Sequence, residues 1–283
     1  MALLPLRVAY LGPAGTFTED ALNEALPSAG FRPVMTATIP EAILAVEADK
    51  ADRALVPIEN SIEGSVRPTL DTLAFEAETV TIVGESDYAV RDHLIAREGV
   101  ELAEIEAVLS HPQPLAQCAR FLRDQLPGVE LREVSSTAAA VRMVSESPRP
   151  WAAIGARAAA ALYDCTILRE GIQDEATNVT RFVWIAPGTH KPAGDGPWKT
   201  SLVFAELGED HPGALVNALA EFSSRSINLT RIESRPLRQA LGRYMFFCDL
   251  EGAATDPHVA DAIAQLRTKA ESVRLLGSYP LKP

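Results

Sequence analysis

The chain has 283 residues, enough for one large or two ordinary domains that each bury a core, and its 47% hydrophobic and 23% charged residues exclude disordered and fibrous classes. Lys and Arg number 26 against 38 Asp and Glu, a formal net charge of −12. That balance disfavours nonspecific binding to nucleic acid or anionic membrane, so an anionic ligand has to meet a local positive site.

The N-terminus, MALLPLRVAYLG, has one basic residue, a short apolar run and an early proline, unlike an export signal or a membrane span. RVAYLG (7–12) reads as a strand, and YLGPAGTFTEDAL (10–22) as a strand-to-helix junction. Thr16 and Glu19 have capping-box spacing, while Gly12, Pro13 and Gly15 shape a tight turn whose backbone N–H groups could face an anion. A well-capped helix after a glycine turn accounts for the same residues. GK[ST] and GxGxxG are both missing.

PEAILAVEADK (40–50) reads as a helix, RALVPI (53–58) as a strand and VRPTLDTLAF (66–75) as a helix. In VPIENSIEGSV (56–66) small and polar residues end the strand, with Ser65 as a helix N-cap. Asn60 and Ser61 follow the strand's carboxyl end, where open α/β sheets hold ligands, although Glu59, Asn60 and Glu63 serve equally well as solvated turn residues. EAVLSH (106–111), VELREVS (129–135) and WAAIGA (151–156) read as strands, with helices at PLAQCARFLRDQL (114–126) and TAAAVRMVSES (137–147). The alternation predicts an α/β domain with a largely parallel sheet.

In SHPQPLAQC (110–118), Ser110 ends a strand, Pro112 and Pro114 start a helix, and Gln117 lies about one turn inside it, aimed back toward the sheet edge. His111 has no ordering carboxylate nearby in sequence and reads as a capping residue. Ser110 and His111 are adjacent rather than arranged as a triad, and no GxSxG elbow occurs. NVTRFVWI (178–185) sets a hydroxyl beside a guanidinium. In a regular strand Asn178, Thr180 and Phe182 share one face and Arg181 lies on the other. Either the strand begins near Phe182, or Thr180 alone reaches the site and Arg181 serves from behind.

PGTHKPAGDGPWK (187–199) holds three Pro and three Gly and predicts a linker. Beyond it the order changes to β, α, β, β, α, β: TSLVFAEL (200–207), GALVNALAEFSSRS (213–226), NLTRIESRP (228–236), YMFFCDLEG (244–252), PHVADAIAQLRTKAES (257–272) and VRLLGSYP (273–280). This is the ferredoxin-like order, with four antiparallel strands and both helices on one face. Cys118, Cys165 and Cys248 show no CxxC, and the five histidines no metal-ligand spacing. Free thiols in a reducing cytoplasm are the expectation, with no metal and no cofactor.

Together these stretches resemble the prephenate dehydratase family, whose reaction turns prephenate into phenylpyruvate, water and CO2 in phenylalanine biosynthesis. The resemblance rests on 10–22, 56–66, 110–118, 178–182 and the C-terminal unit, which resembles an ACT regulatory domain. It implies a catalytic region at 1–186 folded as two lobes, similar to type II periplasmic binding proteins. Lobe 1 is expected at about 1–77 and 178–186, lobe 2 at about 78–177, and the ACT domain at 200–283. It also implies catalytic roles for Thr180, Arg181, Asn60, Ser110 and Gln117, and a substrate-binding cleft bordered by Gly15, Thr16, Phe17, Glu59, Ser61, Asn178 and Phe182. Arg181 is assigned to a substrate carboxylate or to the electrostatics of the cleft. The phenylalanine-binding motifs fall on Gly213, Ala214, Leu215 and Val216, and on Glu233, Ser234, Arg235 and Pro236. A homodimer or homotetramer paired through ACT domains is implied. The dehydratase pattern begins by residue 7, so an attached chorismate mutase, which needs a helical domain of its own, is not expected. The rival readings are an arogenate or dual-specificity cyclohexadienyl dehydratase, and a non-catalytic sensor of small acids and amino acids.

Overall fold

The computed structural model describes residues 5–26, 30–191, 193–208 and 212–281. In chain order the elements are β1 (Leu6–Leu11), α1 (Phe17–Ala25), β2 (Phe31–Thr36), α2 (Ile39–Glu47), β3 (Arg53–Asn60), β4 (Gly64–Ser65), α3 (Arg67–Phe75) and β5 (Val80–Ala89). There follow β6 (His93–Arg97), β7 (Ala107–Ser110), α4 (Pro112–Gln117), α5 (Ala119–Gln125), β8 (Glu130–Glu133), α6 (Thr137–Glu146), β9 (Trp151–Gly155), α7 (Arg157–Leu162), β10 (Cys165–Arg169) and β11 (Val179–Pro187). The C-terminal unit is β12 (Trp198–Ala205), α8 (Ala214–Ser223), β13 (Leu229–Pro236), β14 (Tyr244–Glu251), α9 (Pro257–Leu266) and β15 (Ser272–Pro280).

Two α/β lobes result. Lobe 1 carries the strand order β5-β11-β3-β1-β2, and lobe 2 a separate sheet in the order β10-β6-β9-β7-β8. The sheets are mixed rather than largely parallel: β1 pairs parallel with β2 and β3, but β11 runs antiparallel between β3 and β5. In lobe 2, β6 is likewise antiparallel to β9 and β10. The cause is the double crossing, because the chain leaves lobe 1 along β5 and re-enters along β11. β5 pairs with β11 from Val80 to Ala89, so it belongs to lobe 1, and the outward crossing falls at residues 90–92 rather than near 78.

The apolar period at 114–126 gives two helices, α4 and α5, separated at Cys118, whose φ of −112° leaves the helical range. α3 starts at Arg67 with Val66 as its N-cap, so Ser65 is not the cap. The capping box of α1 forms in altered register: Glu19 reaches back to the Gly15 N–H at 2.5 Å, and the Thr16 hydroxyl donates to the Leu11 carbonyl.

The C-terminal unit has the order β13-β14-β12-β15, all antiparallel, with α8 and α9 covering one face over Phe204, Phe222, Leu250 and Val259. Its other face is also covered. Val203, Met245, Phe247, Leu276 and Tyr279 form one apolar cluster with Ile43, Val46, Leu70 and Leu73 of α2 and α3, each large side chain contributing roughly 1.5–3 kcal/mol on burial. The two sheets join edge to edge where Gly277 pairs with Ile82. A Cβ at Gly277 would overlap the Ile82 carbonyl oxygen, so only glycine lets β15 approach β5 this closely. Gly277→Ala is expected to lower stability by about 1–3 kcal/mol, measured by urea unfolding of the full chain.

Candidate active site

A cavity of about 720 Å³ opens between the lobes. From lobe 1 and the crossings its wall takes Thr16, Phe17, Asn60, Ser65, Asp92, Asn178, Thr180 and Phe182; from lobe 2 it takes His111, Gln117, Ser136, Thr137, Arg142 and Tyr163. The lobes also touch beside α1, where Gly15, at φ +82°, leaves room for Ala159 of α7.

The register of β11 against β3 sets Thr180 beside Asn60. The Asn60 side-chain amide donates to the Thr180 hydroxyl at 2.9 Å and to Asn178 Oδ1 at 2.8 Å, and Asn178 Nδ2 donates to Gln117 Oε1 at 3.2 Å. Asn60 Oδ1 in turn accepts from the backbone N–H groups of Ile62 and Glu63, which fixes the loop that follows β3. Four side chains from three segments thus form one polar row across the floor of the cleft. Because the Thr180 oxygen is already an acceptor, its hydroxyl proton is free to donate into the cavity. Among the described residues the wall holds one arginine, Arg142, for which no ion pair forms, and no three His, Cys, Asp or Glu side chains gather as metal ligands.

A family model described as prephenate dehydratase matches residues 8–190, and one described as ACT domain matches residues 202–268. This chain belongs to the prephenate dehydratase family. A protein named prephenate dehydratase from Mycobacterium marinum is 40% identical over 282 residues, covering 97% of this chain and 88% of that protein. The crystal structure of prephenate dehydratase in complex with L-Phe from Arthrobacter aurescens superposes with a TM-score of 0.89 at 40% identity, over 97% of this chain and 90% of that one. A solved structure described as a novel type of quorum quenching acylase gives a TM-score of 0.87 at 30% identity, over 98% of both chains.

Of the residues that the dehydratase resemblance assigns to the cleft, Thr16, Phe17, Asn60, Gln117, Asn178, Thr180 and Phe182 meet at this cavity. Ser110 does not: it is fully buried, and its hydroxyl donates to the Ile154 carbonyl at 2.8 Å, tying β7 to β9. His111 is exposed, and its Nδ1 accepts from the Gln113 N–H at 3.4 Å, so the two form no nucleophile and base pair. Gly15 serves the contact between lobes. Ser61 is a staple, donating to the Thr177 carbonyl at 2.8 Å and accepting from the Val179 N–H at 2.9 Å.

Arg181 does not reach the cavity, and of the two alternatives for NVTRF the one with Arg181 behind the strand holds. β11 already runs as a strand from Val179, so alternation sends Arg181 to the face opposite Thr180, away from the cavity and into the seam with the ACT domain. Its guanidinium donates to Asp249 of β14 at 2.6 Å and lies 3.5 Å from both Glu85 and Glu59. Glu59 shares that face, 3.7 Å from Arg231, and so does not border the cleft. Lys199 joins Glu85 at 2.6 Å, and the Ser201 hydroxyl donates to Asp249 at 2.7 Å. Burial opposes the Arg181 charge, but Asp249 overcomes it and holds its pKa above the usual guanidinium value. Arg181→Met is expected to cost about 3–5 kcal/mol in thermal or urea unfolding, since it strands buried carboxylates. Arg181→Lys is expected to lower stability more than it alters KM.

Sequence reasoning passed over Asp92, Ser136, Thr137, Arg142 and Tyr163. The start of α6 was legible as a helix end, but nothing local revealed which helix ends face the cleft. In the effector motifs, Gly213 takes φ +92° as the α8 N-cap, with Ala214 and Leu215 packed inward and Val216 exposed. Arg235 forks onto Asp71 of α3 at 2.8–2.9 Å, and Arg231 donates to Ser65 on the cavity wall at 2.7 Å. Ser234 and Pro236 are exposed, while Glu233 lies on the lobe-facing side of β13. Among the described residues no hydrogen bond joins Gly213–Val216 to Glu233–Pro236.

Proposed function

We propose that this family member converts prephenate into phenylpyruvate, water and CO2 in phenylalanine biosynthesis, using the cavity around Thr180, and that phenylalanine bound at the ACT domain inhibits it. The observation that carries the reading is the polar row from Thr180 through Asn60 and Asn178 to Gln117. Prephenate is a dicarboxylate with a 4-hydroxyl on a cyclohexadiene ring, and loss of CO2 and hydroxide makes the ring aromatic. The driving force lies in the substrate, so the protein has to supply position, anion binding and help for a poor leaving group.

Thr180, held as an acceptor by Asn60, donates a hydrogen bond that strengthens as negative charge collects on the departing oxygen. Gln117 and Asn178 hold the ring between the lobes. The substrate carboxylates fall to Arg142 and to the N-terminal turn of α6, which both line the wall. Two ties between β13 and the catalytic lobe, Arg231 to Ser65 and Arg235 to Asp71, give an effector on that strand a direct hold on the cavity wall. Pairing of two chains through their ACT domains belongs to the same reading, supported by exposed Val216, Ile232 and Tyr244. A cytoplasmic location fits three unpaired cysteines and the absence of a helix, among the described residues, long and apolar enough to cross a membrane.

Turnover of prephenate with and without phenylalanine tests the whole reading. Phenylpyruvate release that phenylalanine suppresses is expected, and calorimetry with millimolar phenylalanine showing no binding would remove the regulatory half. Thr180→Ala is expected to lower kcat by about 100-fold to 1000-fold with the fold intact, and Thr180→Ser to keep part of the rate.

A further inference from the structure

Asp92 sits at the outward crossing between β5 and β6, where the chain passes from lobe 1 to lobe 2. Its backbone is fixed on both sides: its N–H donates to Gln173 Oε1 at 3.1 Å, and its carbonyl accepts from the Ile172 N–H at 2.8 Å. Its side chain is not. Asp92 is 0% exposed, yet neither carboxyl oxygen has a hydrogen-bond partner. The nearby amide shows the same feature, for Gln117 Nε2 is buried and unpartnered while Gln117 Oε1 is held by Asn178. An unsatisfied buried carboxyl is costly, and where native proteins keep one in a cleft wall it points to a ligand or to chemistry.

The surroundings favour the neutral form of this carboxyl. Burial alone pushes its pKa up to about 6. The titratable groups around it offer no counter-charge. Tyr88 on β5 and Cys118 after α4 both have raised pKa values, from burial first and with Asp92 contributing, so phenol and thiol stay protonated. Asp174 acts on the same thiol. His93, next in the chain, accepts from the Gly171 N–H, and burial lowers its pKa. Arg91 is exposed, and among the described residues no cation pairs with Asp92.

We propose that Asp92 is the acid of the site, giving the proton with which the 4-hydroxyl of prephenate leaves as water. The inference rests on the dehydratase reading and adds the group that completes it. Thr180 and Gln117 donate hydrogen bonds, but a hydroxyl and an amide are far too weakly acidic to surrender a proton. Asp92, in contact with the departing oxygen or one water away, can do so. In this step the bond from C1 to its carboxylate breaks and its electron pair enters the ring. The bond from C4 to oxygen breaks, and its pair stays on oxygen, which takes the Asp92 proton. CO2, water and phenylpyruvate result, leaving Asp92 as a carboxylate that regains its proton from solvent. Overall, one proton is consumed for each prephenate dianion, and the charges balance.

The test is the pH dependence of kcat and KM for prephenate in the full-length chain, wild type against Asp92→Asn. An acid has to be protonated to act, so wild-type kcat/KM is expected to fall about tenfold per pH unit above the Asp92 pKa. Asp92→Asn is expected to lose about 100-fold to 10,000-fold in kcat, with KM little changed and the alkaline limb absent. Stability gives a readout of the opposite sign. The folded-state pKa is raised above the ordinary 3.8, so the wild type loses stability as pH rises through about 6. Asp92→Asn is therefore expected to melt higher than wild type above that pH. Should Asp92→Asn fail to fold, Asp92→Glu decides: a limb that moves with the new carboxyl supports the proposal, and an unmoved limb overturns it. Wild-type kcat in Asp92→Asn, or an unchanged alkaline limb, also overturns it while leaving the dehydratase reading intact. A wild type that releases no phenylpyruvate overturns both.

Discussion

The alternation of side chains along β11 is the constraint on which this molecule turns. Consecutive residues of a strand face opposite ways, and here the two faces belong to different parts of the protein. Thr180 enters the cleft between the lobes, and Arg181 enters the seam with the C-terminal unit. A central strand paired on both sides has no freedom to rotate, so each face is held by the other. The hydroxyl that lines the cavity and the guanidinium that joins the domains are therefore positioned by one backbone segment.

The seam is built to be specific as well as strong. An apolar cluster supplies most of the attraction, while Arg181, Lys199, Glu85, Asp249, Ser201 and Tyr279 form a buried, mutually bonded polar group within it. Such ion pairs add little net stability over an apolar replacement, but they penalise any arrangement that separates them. Arg274 contributes in another way, donating to the Leu73 and Ala77 carbonyls at the carboxyl end of α3. Movement of β13 is consequently felt at α3 through Asp71 and at the cavity through Ser65.

The cleft follows the opposite rule. Its polar groups are only partly satisfied: Asn60 and Asn178 are bonded, while Asp92 and the Gln117 amide nitrogen are left without partners. Outside the cavity the buried Ser110 and Ser201 hydroxyls are bonded, and among the described residues the unpartnered side-chain atoms there are Thr72 Oγ1, Arg97 Nε, Trp151 Nε1 and Arg181 Nε, the last beside an ion pair. Unsatisfied groups gathered in a cavity between two lobes give up folding stability for complementarity to a bound molecule.

Much of this protein was legible before any coordinates. The strands and helices with clear periods, the ferredoxin-like order of the C-terminal unit and the motif around Thr180 all depend on local pattern, and local pattern is written in consecutive residues. The motif positions Asn60, Gln117, Asn178 and Thr180 could be named individually, although they lie up to 120 residues apart. What the chain alone did not reveal was facing. Whether Arg181 looked into the cleft hung on where β11 began, and that is set by pairing with β3 and β5 rather than by the residues of NVTRF. Ser110 and Glu59 sit in plausible motifs, yet strand registry turns one into the core and the other toward the seam. Asp92 had no local mark at all, because its character comes from burial, and burial is a property of what the rest of the chain places around a residue. The sequence by itself thus determined many of the elements, the family and the polar residues available, but not β2, β5, β6, α7 or β10, whose segments carry no clear period. Tertiary structure decided which of them share a cavity, since a cavity wall is assembled from segments that have no contact until the chain is folded.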